Sequence, residues 1–151
     1  MPHIREQVRT AAAALVTGLA TTGSRVYVAR DLSSYPLQPA ELPGLLVEVV
    51  DEAVQQTGIG GAGTPLVCEA LLRISALAKS VAGAVDTVDD ACAEVQAAVM
   101  TSGRIGGAVV LGYVGTQGPG IDAGTERPVA RAVMTFAVRY VMARSDATVA
   151  L

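Results

Sequence analysis

The sequence predicts an α+β domain: a mostly antiparallel sheet of about five strands with two helices packed on one face. Three observations predict it. Segments 66–76 and 129–142 alternate apolar and polar residues, the period of a strand with one buried face. Segments 4–19 and 87–100 repeat apolar residues at helical spacing. The elements also come in the order helix, strand, strand, strand, helix, strand, strand. That order separates hairpins from helices and lacks the regular alternation of a parallel α/β sheet.

The first helix is expected from Ile4 to Leu19, with Ile4, Val8, Ala12, Leu15 and Leu19 as its apolar stripe. Arg5 and Arg9 before an alanine run loosely imitate a signal peptide. Glu6 and Gln7 interrupt the basic part, and Thr17 and Gly18 end the apolar stretch, so a retained amphipathic helix is expected. Gly18 or Gly23 can end it, because glycine enters the left-handed region cheaply. Arg25–Ala29 reads as a short strand of β-forming residues.

Pro36, Pro39 and Pro43 forbid a continuous helix or an interior strand over 31–43. A connection this long is expected to be ordered and to serve as a contact surface. Leu45–Val50 is the second strand and Leu66–Ala76 the third. Positions 66, 68, 70, 72, 74 and 76 face the core, while Glu69, Arg73 and Ser75 lie opposite. A glycine-rich hairpin tip, Gln55–Thr64, joins these strands.

The second helix is expected over Thr87–Met100, with Asp86 as N-cap and Asp89 at the capping-box position. Its stripe is Val88, Ala91, Cys92, Val95 and Val99, and Gly103 stops it. The last hairpin pairs Val109–Val114 with Val129–Met142 through a polar, glycine-rich loop, Gly115–Pro128. A length of 151 residues suits one domain over 1–151, and no repeat or linker breaks it.

Composition narrows the function. The chain is 51% hydrophobic and only 3% aromatic, so it folds around an aliphatic core. Its net charge is −3 and its arginines are scattered, unlike the basic stripe of a nucleic-acid binder. A surface meant to let DNA slide past would tolerate this balance well. No apolar run reaches the length of a membrane span.

Chemistry is hard to find. Cys68 and Cys92 match no zinc or redox spacing and read as buried free thiols. His3, the only histidine, is expected to be solvated, so a serine or cysteine nucleophile has no imidazole base. Asp86, Asp89 and Asp90 are explained by the helix start, and Asp51-Glu52 by a solvated strand end. Gly58–Gly63 resembles a phosphate loop only loosely, since no helix follows it and no Lys-Ser/Thr closes it. The expectation is a protein without catalytic residues, metal or cofactor. Its hairpin tips and proline-rich connection touch neighbours.

Several segments resemble the tail terminator, or tail-completion, proteins of long-tailed bacteriophages. They are the N-terminal helix, Arg25-Val26-Tyr27 with Arg30, Tyr35-Pro36-Leu37, Glu41–Val47, the acidic second helix, and Arg127–Arg131 through Phe136–Tyr140. The motifs are short, but the element order matches over nearly the whole length. The resemblance implies a structural virion protein, present in the host cytoplasm during assembly and then at the head-proximal end of the tail. It implies a hexameric ring on the last ring of the tail tube, which stops tube growth and forms the head-joining surface. Partners would be the major tail tube protein, head–tail connector proteins and other copies of the chain, with genomic DNA passing through the lumen and no membrane contact.

A closed ring needs one patch to meet a different patch on its neighbour. Candidate intersubunit or tube contacts are Gln55, Gln56, Gly58, Gly60 and Gly61 in the first tip. Gln117, Asp122, Glu126 and Arg127 are the candidates in the second. Alternatives are another head–tail connector or a tail-tube subunit. From a different class comes a small-molecule or nucleotide-binding domain built on Gly58–Gly63.

Overall fold

A computed structural model describes residues 2–32, 35–55, 63–122 and 128–151. The elements are α1 (Ile4–Val16), β1 (Val26–Val28), a 3-10 turn (Pro39–Glu41), β2 (Gly44–Gln55), β3 (Leu66–Lys79) and α2 (Ala84–Ser102). They continue with β4 (Arg104–Ile105), β5 (Ala108–Asp122), β6 (Val129–Ala143) and β7 (Asp146–Ala150).

The α+β class holds, but the sheet is larger than expected and mixed. Among the described residues seven strands form the sheet, in the order β1-β2-β3-β6-β5-β4, with β7 added beside β6. β1 pairs parallel with β2, and the other strand pairs are antiparallel. The parallel pair arises because the long 31–43 connection carries the chain back to the end where β1 began.

Both helices sit on one face of the sheet. Ile4, Val8, Ala12 and Val16 of α1 share one core with Ala84, Val88, Ala91, Val95 and Val99 of α2. Beneath them lie the even positions of β3 from Cys68 to Ala78 and of β6 from Ala130 to Met142. Strict period two therefore delivers the buried face it predicts. α1 touches β1 and β2 and also β4 and β7, so the sheet curls around it.

Several boundaries are corrected. α1 stops at Val16, because Gly18 takes φ +90° and Leu19 bridges Gly23 in a tight turn. α2 begins at Ala84 after Gly83, which is left-handed at φ +80°, so Asp86 lies in the first turn and is not the cap. Asp86 still faces the positive helix start there. Of the expected stripe, Cys92 is only partly buried. Gly103 ends α2 at φ +66°, as expected. His3 is half-buried: its Nδ1 accepts the Arg5 amide at 3.1 Å and caps α1.

β5 runs to Asp122, so Gly115–Asp122 is strand where a loop was expected. Register shifts at Val110/Gly112, Tyr113/Gly115 and Gln117/Gly120 absorb the extra residues while β5 stays paired with β6. At Gly118 a Cβ would lie 2.7 Å from the Arg131 carbonyl, so the turn-forming residue is forced by close backbone approach.

β2 also runs past the expected end at Val50, through a bulge between Val50 and Ala53 where Asp51 takes φ +56°. Asp51 is exposed, but Glu52 is not a solvated strand-end acid. The bulge turns Glu52 toward the helices, where it accepts the Tyr140 hydroxyl and pairs with Arg5 at 3.3 Å.

Candidate assembly surface

The expected contact residues do not converge on one spot. Gln55 ends β2 and is exposed; it lies in the row Gln55–Val67–Val141. Asp122 ends β5 in the row Asp122–Val129–Lys79. Along β3 these rows are roughly 40 Å apart at the usual strand rise. The strand ends that flank 56–62 and those that flank 123–127 therefore lie at opposite ends of the sheet. Gln117 lies between them, exposed on β5 in the row Gln117–Val133–Ser75–Leu46, so it belongs to a strand and not to a tip. Gln56, Gly58, Gly60, Gly61, Glu126 and Arg127 lie outside the described residues, as does most of the Gly58–Gly63 loop.

The proline-rich connection is held by Arg30. Its Nε donates to the Tyr35 carbonyl at 2.8 Å and its Nη2 to the Pro36 carbonyl at 3.0 Å. Its Nη1 bonds Glu41 at 2.8 Å. The other Glu41 oxygen accepts the Gln38 amide at 2.6 Å. Arg30 also stacks over Tyr27, 5.5 Å from the ring centre. The Arg30 guanidinium, then the Gln38 amide, hold the Glu41 carboxyl below its usual range. The planar fork spreads fixed donors over three nitrogens and so reaches acceptors on Tyr35, Pro36 and Glu41 together, whereas the three donors of a lysine radiate from one nitrogen.

Under this connection Leu37, Leu46 and Leu77 form a second small core on the sheet face away from the helices. That cover explains why Ser75, on the polar face of β3, is buried. Val129 packs against the same cluster, so the connection sits at the β5–β6 end of the sheet. Tyr35 projects from it and is 69% exposed. A rigid, exposed aromatic beside prolines is the composition of a protein contact. Arg30 and Tyr35 were visible in the sequence, but the bonding that fixes the loop was not.

Chemistry stays sparse. Among the described residues no group of His, Cys, Asp and Glu is arranged to hold a metal. Burial raises the Cys68 thiol and pushes Cys92 up to about 11, so neither is poised as a thiolate. Burial, with the Glu52 carboxylate next, holds the Tyr140 phenol well above its ordinary value. No described helix is long and apolar enough to cross a membrane.

Parts of two strand edges are not covered by another described strand. β1 covers β2 only at Leu45–Val47, and β4 covers β5 only at Ala108–Val109. Leu111, Tyr113, Val114 and Ile121 on β5 are exposed apolar residues, as are Val28 on β1 and Val54 on β2. No protein-family model matches the chain, and no curated protein matches it.

Proposed function

We propose that this chain is a structural virion protein, a ring-forming tail terminator. It caps the tail tube, stops its polymerisation and provides the head-joining surface. The observation that carries the proposal is that the β2–β3 strand ends flanking 56–62 and the β5–β6 strand ends flanking 123–127 lie at opposite ends of a sheet roughly 40 Å long. A subunit between tube and head needs one contact at each axial end and different patches toward its ring neighbours. The hairpin ends supply the first, and the free strand edges supply the second. The sequence segments that resemble tail terminators support the same reading.

The acidic balance of the chain, net −3, suits a lumen through which genomic DNA passes without being held. No step of this function needs a catalytic group. The tube subunit would dock at one hairpin end and connector proteins at the other.

The test is to replace 56–62, and separately 123–127, by a short turn. Each variant should remain folded by circular dichroism and fail to cap tail tubes in an assembly reaction. Capping that survives both replacements would remove the hairpin ends from the mechanism.

A further inference from the structure

We infer that the outer edge of β5 pairs with the outer edge of β2 of a second copy of this chain. The inference deepens the ring proposal and rests on it only for closure of the contact. β5 is uncharged from Ala108 to Ile121, and beyond Val109 no described strand covers its outer side. Val114 is 62% and Leu111 46% exposed there. Natural sheet edges are often defended by charge, by proline or by bulges; Pro119 and the glycines guard the far part of β5, but Leu111–Val114 carries no charge and exposes apolar side chains, so this part is the candidate association surface.

β2 offers the matching edge. Past Val47 its outer side is uncovered by any described strand, and Val54 is 45% exposed. This run carries Glu48, Asp51 and Glu52; Glu52 is engaged by Arg5 and Tyr140, which leaves Glu48 and Asp51 as the acids an edge partner would meet. Two copies of β2 edge to edge would oppose acid with acid, whereas neutral β5 brings no like charge. A β5–β5 contact would leave the β2 edge uncovered in every copy. A β2–β5 contact covers both edges and repeats head to tail.

The register is bounded at each side. β1 ends at Val28 beside Val47, β4 begins at Arg104 beside Val109, and the Val110 amide still donates to the Gly103 carbonyl at 2.9 Å, so an incoming strand can pair only beyond these stops. The fold contains a precedent, because β7 fills the edge of β6 where β5 leaves it open. Bulges on both strands break the pairing into short runs. The free run of β2 spans roughly 25 Å, and a sheet about 10 Å thick gives a contact of roughly 250 Å² per subunit. That is well below the ~800 Å² per partner of a stable pair. The edge contact thus sets the register between neighbours and is only part of the area that a stable ring buries.

The experiment places single cysteines at exposed edge positions, Val54→Cys and Leu111→Cys, in the full chain and treats concentrated protein with a short bismaleimide. The double variant should yield a ladder of covalent multimers, while the unmodified chain and both single variants should not. Adding Val114→Lys to the double variant should abolish the ladder without changing the circular dichroism spectrum. Absence of a ladder, or dimers from Leu111→Cys alone, would overturn the inference. Rings in micrographs of unmodified protein, together with no ladder, would sink the edge contact and spare the ring. A ladder from open filaments would do the reverse.

Discussion

Tyr140 on β6 donates its hydroxyl to Glu52 on β2, reaching across β3 above Cys68, which pairs with both Val54 and Tyr140. Arg5 of α1 closes the group on the same Glu52 oxygen. One carboxylate thereby ties two strands and a helix together beside the first hairpin. Tyr140→Phe should cost roughly 1 kcal/mol of stability, the net worth of one hydrogen bond to a partly exposed acid. Glu52→Ala should cost more, roughly 1–3 kcal/mol, because it strands a buried hydroxyl. Urea unfolding checks both. Equal stability of all three proteins would show that the bulge is not anchored there.

Asp51 holds φ +56° at the β2 bulge. A left-handed residue with a Cβ costs roughly 1–2 kcal/mol, less for Asp than for a branched side chain. Asp51→Gly should therefore be neutral or slightly stabilising, and Asp51→Val should be destabilising. The 3.9 Å contact with Arg73 is exposed and contributes little to that balance. Thermal melts should place Asp51→Val below the parent chain and Asp51→Gly at or slightly above it.

Gly118 and Gly112 make a contrast within β5. A Cβ at Gly118 meets the Arg131 carbonyl at 2.7 Å, with φ at +91°, while nothing lies within 4 Å of one at Gly112. Gly118→Ala should lower stability by about 1–2 kcal/mol or more. Gly112→Ala should leave it within about 0.5 kcal/mol. Chemical denaturation distinguishes them.

Arg30 sets a pH dependence. Because the Glu41 carboxyl is depressed in the folded chain, its contribution is complete above about 4.5, its ordinary value. The contribution is lost as pH falls through the lower folded value. Proteolysis within 31–43 should therefore accelerate in acid. Arg30→Lys should loosen the loop already at neutral pH and flatten the profile. An unchanged profile in that variant would dissociate Glu41 from Arg30.

Legibility followed the kind of order involved. Alternation in 66–76 and 129–142 is local, and it placed the central strands and the helix face correctly. Gly115, Gly118, Pro119 and Gly120 read as loop because glycine and proline are poor strand formers. Their pairing with β6 is a long-range fact that bulges make possible. The two-residue β4 and the C-terminal β7 carry too little pattern to be seen alone. Asp86 looked like a cap because the left-handed turn at Gly83 has no side-chain signal. Of the candidate contacts, Gln55, Gln117 and Asp122 took places on strands, and only the structure showed that they occupy different parts of one long sheet.

The central claim is that copies of this chain close into a ring that ends a tube. Negative-stain electron microscopy of the purified chain with tail tubes tests it most directly. Single closed rings seated on tube ends, and tubes that no longer lengthen, are the predicted result. Stacked tubes of the chain itself, or tubes that grow unchanged in its presence, would contradict it.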